Sequence, residues 1–446
     1  MQRGQRTLGQ TFRRGEAGYE TARAATMWNK RLPPRYPDII VQANDTGDVL
    51  AAVRMARREN LRIGVRSGGH SWSGNHVRDG GLLLDVSRLD EVRIDKAAKR
   101  ATVGPGRAGH ELAAQLAKQK LFFPAGHCRG VAVGGYLLQG GYGWHSRVLG
   151  PACMSVEAID VVTADGEVVR ASADENADLY WAARGAGPGF FGVVTRFHLR
   201  VYDRPKVIGF AAQTFAADMF DEVFRWLHAV GPEVPGGIEL QALMSRHTLG
   251  VRGAGMIVIA PVFADSYAQA WEWLRFMNRS PLRSKAKFAL PFVPSGLKPL
   301  YYSVMRHYPE NYRYAVDNMW TGAKIDDLLP GLRRIAETLP PAPSHMLWMN
   351  WAPPADRPDM AYSMEDNTYI ALYSVWQHAQ DDAQFDRWPV ERMREMEHWA
   401  SGCQLADENL GQRPARFASD ANLARLDRVR SVYDPQARFH SWMGRP

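Results

Sequence analysis

The stretch Arg66-Ser67-Gly68-Gly69-His70-Ser71-Trp72-Ser73-Gly74 follows a short apolar run, Leu61 to Val65, that predicts a β-strand. Two adjacent glycines let the backbone approach a ligand with no Cβ in the way, and they permit positive φ angles. Successive N–H groups in such a turn form a concave surface that suits an anion such as a pyrophosphate. This stretch therefore predicts a ligand-binding turn that holds His70 against the bound molecule.

A second glycine-rich segment spans residues 126–143 and contains the run Gly126-His127-Cys128-Arg129-Gly130. So many glycines cost conformational entropy on folding, and a backbone that must lie flat against a ligand would account for that cost. His127 and Arg129 flank Cys128, and we expect them to lower the pKa of its thiol and favour the nucleophilic thiolate. The alternatives are a glycine-rich turn without a ligand and a structural buried thiol.

Hydrophobic periodicity around these segments indicates a mixture of strands and helices. Asp45-Thr46 is expected to begin a helix with apolar residues at helical spacing, flanked by strands at Ile39 to Val41 and Leu61 to Val65. Gly187-Pro188-Gly189-Phe190-Phe191-Gly192 matches the pattern G-x-G-x-x-G of dinucleotide-binding sites. That site requires a strand, then the glycines, then a helix, whereas the order predicted here is helix, glycines, strand. The match is therefore interpreted as a false positive.

Together with motifs elsewhere in the chain, the two glycine-rich segments resemble those of the berberine bridge enzyme-like flavin oxidoreductases, within the vanillyl-alcohol-oxidase superfamily. The likeness begins at Gly18-Tyr19, includes residues 178–185 and 191–195, and ends at Tyr433-Asp434-Pro435 with Phe439. It therefore covers nearly the whole chain. The resemblance implies an α+β protein with a two-domain PCMH-type FAD-binding fold, in which the substrate domain is an antiparallel sheet covered by helices.

The resemblance also implies where the domains lie. Residues 1–205 would form the FAD-binding domain, with its core at about residues 33–203, and residues 206–412 would form the substrate-binding domain. A C-terminal segment, residues 413–446, would return to the FAD-binding domain. The composition agrees with a boundary at Arg204-Pro205, because aromatic residues and methionine become dense beyond it.

By resemblance, the cofactor is FAD, attached covalently through the imidazole of His70 and the sulfur of Cys128. Attachment through His70 alone, with a free thiol nearby, is the alternative. The attachment needs a neutral imidazole, and histidine is the side chain most readily neutral and nucleophilic near pH 7. The other residues expected to contact FAD are Arg66, Ser67, Gly68, Gly69, Ser71, Val131, Gly134, Gly135, Gly141, Tyr142, Gly143, Gly192, Val194 and Asn422.

The bases that are usual in the family are replaced in this chain. The stretch that often runs Tyr-x-Asn-Tyr is here Gln404-Leu405-Ala406-Asp407, and glutamine cannot act as a base. Asn350 stands where some relatives carry a carboxylate. Tyr136 replaces a histidine, and its phenol can donate a hydrogen bond to a reduced flavin but cannot carry positive charge. The candidates for the catalytic group are Tyr136, Asp407 and Tyr373, followed by Glu239 and Tyr314.

The resemblance implies an FAD-dependent oxidoreductase that moves a hydride from a C–H bond of an alcohol, a sugar or an aromatic secondary metabolite to FAD. Val131 favours an oxidase that reduces oxygen to hydrogen peroxide, since valine at this point is associated with oxygen access in related sequences. A dehydrogenase with another acceptor and a catalytically silent flavin-binding scaffold are the alternatives. An aromatic cluster predicts either a flat wall for the substrate or core packing; its members are Trp348, Trp351, Tyr362, Tyr369, Tyr373 and Trp376.

Composition argues against other classes of partner. The 55 basic and 47 acidic residues give a net charge of +8, but these charges are dispersed and form no Lys/Arg-rich patch for nucleic acid. No run of about 18 apolar residues could span a membrane, and no apolar segment near the N-terminus indicates a secretory signal, so we expect a cytoplasmic protein. The three cysteines form no disulfide framework, and no metal site is expected. The oligomeric state stays open.

Overall fold

The computed structural model describes residues 9–352, 354 and 356–445. Residues 1–8, which belong to the N-terminal region that we expect to lack a secretory signal, lie outside the described part. Among the helices of the described part, none is both long enough and apolar enough to cross a membrane.

The first part of the chain alternates short strands with helices, as the hydrophobic pattern predicts. The strands are β1 (Gln10–Arg13), β2 (Ile39–Gln42), β3 (Ile63–Arg66), β4 (Leu82–Asp85), β5 (Val92–Asp95), β6 (Arg100–Val103), β7 (Leu121–Phe122), β8 (Val156–Thr163), β9 (Val168–Ser172), β10 (Gly192–Arg200) and β11 (Tyr202–Asp203). The helices are α1 (Tyr19–Ala25), α2 (Thr46–Arg58), α3 (Gly109–Lys118), α4 (Val133–Leu138), α5 (Ser146–Leu149) and α6 (Ala177–Ala183).

These strands form two main sheets. One has the order β1-β2-β4-β3, in which β2, β4 and β3 are parallel, and the other has the antiparallel order β5-β6-β10-β8-β9. Helix α2 connects β2 to β3, and the Asp45 side chain caps it by accepting a hydrogen bond from the backbone N–H of Asp48 at 3.0 Å. Helix α6 ends before the glycines and β10 begins at Gly192, which confirms the order helix, glycines, strand.

The second part of the chain forms one larger sheet and its covering helices. The strands are β12 (Val207–Ala216), β13 (Gln241–Ser245), β14 (Gly255–Ala264), β15 (Phe288–Pro294), β16 (Arg313–Thr321), β17 (His345–Asn350) and β18 (Thr368–Trp376). The helices are α7 (Phe220–Val230), α8 (Tyr267–Trp273), α9 (Arg275–Asn278), α10 (Leu297–Met305), α11 (Ile325–Thr338), α12 (Asp382–Phe385) and α13 (Trp388–Met396).

This sheet has seven antiparallel strands in the order β15-β12-β14-β13-β17-β18-β16. Successive side chains of a strand point to opposite faces. Met244 of β13 and Trp348 of β17 accordingly join the buried core with Leu332 of α11 and Met393 of α13. The expected antiparallel sheet covered by helices is therefore confirmed, and its other face is left for the site.

The C-terminal residues run back to the first sheet. Helix α14 (Asp420–Tyr433) is followed by a parallel bridge between Phe439 and Ile63 of β3. The backbone N–H of Ile63 donates to the carbonyl of Arg438 at 2.7 Å, and the N–H of His440 donates to the carbonyl of Ile63 at 3.0 Å. The division into domains near residues 205 and 412 stays a prediction.

Arg413 ties the segment before α14 to the seven-stranded sheet. Its guanidinium donates two hydrogen bonds of 2.7 Å to the carboxylate of Asp317 in β16 and one of 2.8 Å to the carbonyl of Asn318. Asp317 and Arg413 are only 1% and 5% exposed, so this ion pair is shielded from water. The pair therefore depends on both partners being present.

Replacing Arg413 by methionine is expected to lower the free energy of unfolding by about 3–5 kcal/mol, because it leaves the Asp317 carboxylate buried without its counter-charge. Urea denaturation followed by tryptophan fluorescence measures this loss. Arg416→Met is the matched control, since Arg416 pairs with Asp420 on the surface at 3.0 Å. An exposed pair of that kind contributes about 0.3–0.5 kcal/mol. Similar losses in the two variants would contradict the prediction.

Candidate active site

A cavity lies between the two glycine-rich segments and the face of the seven-stranded sheet opposite helices α7, α11 and α13. Its lining also includes the turn at residues 404–408. Among the residues predicted to contact FAD, those in the lining are Arg66, Ser67, Gly68, Gly69, His70, Ser71, Cys128, Val131, Gly134, Gly135, Tyr142, Gly192 and Val194. The two proposed attachment points, His70 and Cys128, thus share one cavity.

The lining does not include Gly141, Gly143 and Asn422, so their predicted contact with FAD finds no support. The Asn422 side chain donates to the backbone carbonyls of residues 360–361 at 2.9 and 3.1 Å. A Cβ at Gly143 would lie 2.2 Å from the carbonyl oxygen of Ala125. Asn422 and Gly143 therefore pack against neighbouring backbone, and contact of FAD with these two residues and with Gly141 stays a prediction.

The backbone of the glycine turn before His70 lies against the backbone of the second glycine-rich segment. A Cβ at Gly68 would lie 2.9 Å from the backbone nitrogen of Ala132, and the Ser67 hydroxyl accepts a hydrogen bond from the N–H of Gly135 at 3.2 Å. A Cβ at Gly135 would meet no atom within 4 Å, although Gly135 lines the cavity. The backbone is therefore open to a ligand at this point, which fits a flat, phosphate-bearing cofactor such as FAD.

The His70 imidazole stacks on Trp28, with the ring centroids 5.0 Å apart. Burial lowers the pKa of His70 to about 3, and the nearby Arg66 guanidinium, paired with Asp85 at 2.9 Å, adds to this shift. Gly130, with a φ of +84°, passes so close that a Cβ there would lie 2.9 Å from Nε2. The imidazole is therefore neutral at pH 7, as attachment to a flavin requires.

The pKa of the Cys128 thiol is raised, whereas the sequence predicts that it is lowered. Burial raises this pKa to about 12, and the Asp407 carboxylate contributes to the rise. The Nε2 atom of His127 lies 2.8 Å from the Glu239 carboxylate, and the Arg129 guanidinium lies over an aromatic ring, 5.1 Å from its centroid. The prediction that the flanking bases lower the thiol pKa is therefore wrong, because both bases are engaged elsewhere.

Asp407 presents its carboxylate to the same cavity, where three side chains donate hydrogen bonds to it. The indole Nε1 of Trp72 donates to Oδ1 at 2.6 Å, and the hydroxyls of Tyr369 and Tyr373 donate to Oδ2 at 2.5 and 2.9 Å. Burial raises the pKa of Asp407, although these hydrogen bonds favour its ionised form. A carboxylate with a raised pKa that lines a cavity is suited to accept a proton from a bound substrate.

The 3₁₀ turn Leu405–Asp407 fixes the position of this carboxylate. Just before the turn, the backbone N–H of Gln404 donates to Oδ1 of Asn318 at 2.7 Å, and Nδ2 of Asn318 donates to the carbonyl of Gln404 at 3.0 Å. Asn318 lies in β16 and is fully buried. The turn is therefore anchored to the sheet on which Tyr369 and Tyr373 also lie.

The other candidates for the catalytic group are bound to other partners. The hydroxyls of Tyr136 and Tyr314 each donate to a backbone carbonyl at 2.6 Å, so the predicted donation from Tyr136 to a reduced flavin finds no support. The Glu239 carboxylate binds the His127 ring and the backbone N–H of His145. Tyr136 also lines the cavity, but Asp407 and Tyr373 are the two candidates that are hydrogen-bonded to each other there.

Sequence reasoning missed Trp72 and Tyr369 as partners of Asp407. Trp72 belongs to the first motif, yet 335 residues separate it from Asp407. Tyr369 lies four residues before Tyr373 in β18, a spacing that places both side chains on one face of a strand. This alternation could have identified Tyr369 as a partner of Asp407, whereas no sequence pattern links Trp72 to Asp407.

The aromatic residues for which the sequence left a substrate wall and core packing open lie in different surroundings. Tyr369 and Tyr373 line the cavity. Trp348 packs against Phe224 of α7 on the opposite face of the sheet, with the ring centroids 5.4 Å apart. The remaining three are buried outside the cavity lining: Trp351, Tyr362 and Trp376. Two of the six residues therefore lie at the cavity and the other four are packed in the core, as strand alternation and core packing divide them.

Comparisons with known sequences identify an FAD binding domain and FAD-dependent relatives. An FAD binding domain family matches residues 37–172. The FAD-linked oxidoreductase nodO of Hypoxylon pulicicidum is 32% identical over 425 residues, which cover 94% of each chain. The (R)-6-hydroxynicotine oxidase of Paenarthrobacter nicotinovorans is 38% identical over 182 residues, 41% of this chain and 39% of that protein. Fold, site and comparisons together define an FAD-dependent oxidoreductase rather than a catalytically silent scaffold.

Comparisons with solved structures show the same fold. The 6-hydroxy-D-nicotine oxidase of Arthrobacter nicotinovorans has a TM-score of 0.85 at 22% identity, and 97% of each chain is covered. The BBE-like 1 protein of Physcomitrella patens has a TM-score of 0.83 at 21% identity, covering 97% of this chain and 96% of that one. The chain belongs to the FAD-linked oxidoreductases, and it shares with the berberine bridge enzyme-like protein the two-domain PCMH-type fold that the sequence implies.

Another solved structure, Phl p 4, is described in two forms that bear on the reaction with oxygen. The wild-type protein is a glucose dehydrogenase, and a variant with one isoleucine replaced by valine is a glucose oxidase. Both have a TM-score of 0.81 at 18% identity and cover 97% of this chain and 96% of their own. At that identity, the likeness to this chain concerns the fold.

Proposed function

We propose that this enzyme is an oxidase that holds FAD covalently through His70 and Cys128 and that uses Asp407 as the base for its small-molecule substrate. The observation that carries the proposal is the Asp407 carboxylate, which lines the same cavity as both attachment points and accepts hydrogen bonds from Trp72, Tyr369 and Tyr373. The chemistry that FAD supplies when bound is acceptance of a hydride from a substrate C–H bond and transfer of the electron pair to oxygen, which becomes hydrogen peroxide.

The residues of the chain supply position and proton transfer. Asp407 accepts the proton of a substrate hydroxyl or amine, which strengthens hydride donation from the adjacent carbon. The three donors to Asp407 fix the orientation of its carboxylate and favour its ionised form against the burial that raises its pKa. His70 and Cys128 prevent loss of the cofactor, and the glycine-rich backbone excludes side chains from the space that it needs.

The experiment that tests this function is a screen of alcohols, sugars, amines and phenolics with the purified, flavin-loaded enzyme. We expect at least one compound to bleach the flavin absorption band without air and to consume oxygen with equal release of peroxide when air is present. A flavin band that stays unbleached by the whole screen would contradict the proposal. A cytoplasmic location stays a prediction from the sequence.

Val131 decides between the oxidase and a dehydrogenase that uses another electron acceptor. It belongs to the second glycine-rich segment and lines the cavity, and valine at this point is associated with oxygen access in related sequences. Val131→Leu is expected to slow reoxidation of the reduced flavin by roughly tenfold or more, which corresponds to about 1.4 kcal/mol in the barrier. Stopped-flow mixing of the reduced enzyme with aerated buffer measures the rate.

Val131→Ala is the matched control, because it keeps the site open and should retain fast reoxidation. The rate of anaerobic flavin reduction by substrate should change little in either variant. Wild-type reoxidation that takes many minutes would favour the dehydrogenase.

A further inference from the structure

The face of the seven-stranded sheet that lines the cavity carries two cross-strand rows of side chains, which we name the apolar plate. Its members, in two rows set by strand register, are Ile259, Gln241 and Met349, and Ile257, Leu243 and Leu347. All six line the cavity. Five of the six are apolar and none carries a charge, so the plate offers a substrate almost no hydrogen-bonding group.

Gln241 is the polar member of the apolar plate, and its amide donates one hydrogen bond to a neighbouring side chain. Its Nε2 donates to the Glu239 carboxylate at 3.4 Å, and Glu239 in turn binds the His127 ring at 2.8 Å. His127 precedes Cys128 in the second glycine-rich segment. The plate therefore lies beside the segment that carries the proposed sulfur attachment.

Helix α10 extends the apolar part of the lining. Leu300 and Val304, four residues apart and so on one face of the helix, both line the cavity. His307, just beyond the helix, lines it too, and burial lowers the pKa of this imidazole to about 4. His307 is therefore uncharged at neutral pH, and this wall adds no ionic partner for a substrate.

The length of the apolar plate follows from the strand order. Tyr369, which donates to Asp407, is the register partner of Met349, so the plate begins next to the proposed base. The plate spans β14, β13 and β17, so two strand spacings of about 4.8 Å make it roughly 10 Å long. The step to Tyr369 in β18 adds one more spacing. A substrate that reacts at Asp407 thus meets a long uncharged surface.

Such a surface discriminates between classes of substrate. A carbohydrate laid across it would bury most of its hydroxyl groups against apolar side chains, and each hydroxyl left without a partner lowers affinity by roughly tenfold or more. Apolar rings would instead gain from removal of their surface from water. We propose that the substrate is an extended apolar molecule, about three or four fused rings long, that bears a hydroxyl or amine for Asp407. This inference rests on the proposed function in one respect: it takes Asp407 as the base next to which the substrate reacts.

The test is a binding titration of the flavin-loaded protein that requires no turnover. The probes are 5α-androstan-3β-ol, a rigid apolar molecule with one hydroxyl, and cellobiose, a disaccharide of similar length. Perturbation of the flavin absorption spectrum reports the dissociation constant of each. We expect the androstanol to bind at least about 100-fold more tightly than cellobiose, since several sugar hydroxyls would lose their water partners.

Leu243→Asn places an amide in the middle of the apolar plate and is expected to weaken androstanol binding roughly tenfold or more. Leu249→Asn is the matched control, because Leu249 is 62% exposed and lies outside the cavity lining. It should leave the dissociation constant unchanged. Flavin content measured by absorbance should be equal in the wild type and both variants.

Each outcome bears on the substrate class separately from the oxidase proposal. Equal or tighter binding of cellobiose, absence of androstanol binding, or unchanged binding in Leu243→Asn would overturn the inference. Oxidation of a sugar with release of peroxide would support the oxidase and overturn the apolar substrate class. Tight androstanol binding without any bleaching of the flavin by the wider screen would support the substrate class and contradict the oxidase.

Discussion

Replacing Asp407 by asparagine is expected to slow substrate-driven flavin reduction by roughly 100- to 10,000-fold, the range typical for loss of a general base. Asparagine has nearly the same shape as aspartate but cannot take up the substrate proton. The measurement is the rate of flavin bleaching in an anaerobic stopped-flow experiment with a substrate from the screen. A variant rate within tenfold of the wild type would show that another group takes the proton.

Tyr373→Phe is the comparison variant, because it removes one of the three donors to Asp407 and leaves the carboxylate in place. We expect the flavin reduction rate to fall far less than in Asp407→Asn. The base acts when ionised, so the wild-type rate should rise as the pH rises through the raised pKa of Asp407. Loss of a donor that favours the ionised form should move this rise to higher pH, and Asp407→Asn should remove it.

Acid precipitation of the wild-type protein is expected to leave all of the flavin on the protein, whereas His70→Ala/Cys128→Ala should release all of it. Each single variant should retain one bond, because the imidazole and the sulfur attach independently. The readout is the flavin absorbance of the washed pellet and of the supernatant. Free FAD from the wild type would exclude covalent attachment.

Cys153→Ala is the matched control for the cysteine. Burial raises the pKa of Cys153 to about 12, as it does for Cys128, but Cys153 lies outside the cavity lining. This variant should keep its flavin and the absorption spectrum of the wild type. A spectrum of Cys128→Ala identical to that of the wild type would instead indicate attachment through His70 alone.

The features that the sequence predicts well are local ones. The cap at Asp45 and the glycine turn before His70 depend on residues close together in the chain. The order of elements around Gly192 likewise follows from hydrophobic periodicity and glycine positions. Periodicity also shows that Tyr369 and Tyr373 share a face of β18, but it does not tell which face meets the cavity. That choice depends on where the covering helices pack.

The features that escape prediction depend on contacts between distant parts of the chain. The hydrogen bond from Trp72 to Asp407 joins residues 335 positions apart, and no local sequence pattern predicts it. The pKa of Cys128 is set by burial and by Asp407 rather than by its neighbours in sequence. His127, the neighbour expected to lower this pKa, instead binds the carboxylate of Glu239, which lies 112 positions further along the chain.

The bridge between Phe439 and β3 has a consequence for biosynthesis. Ile63 and Phe439 both line the cavity, although almost the whole described chain separates them. A growing polypeptide leaves the ribosome from its N-terminus, so β3 emerges long before the residue that pairs with it. This part of the cavity wall is therefore completed late, after the seven-stranded sheet has already been synthesised.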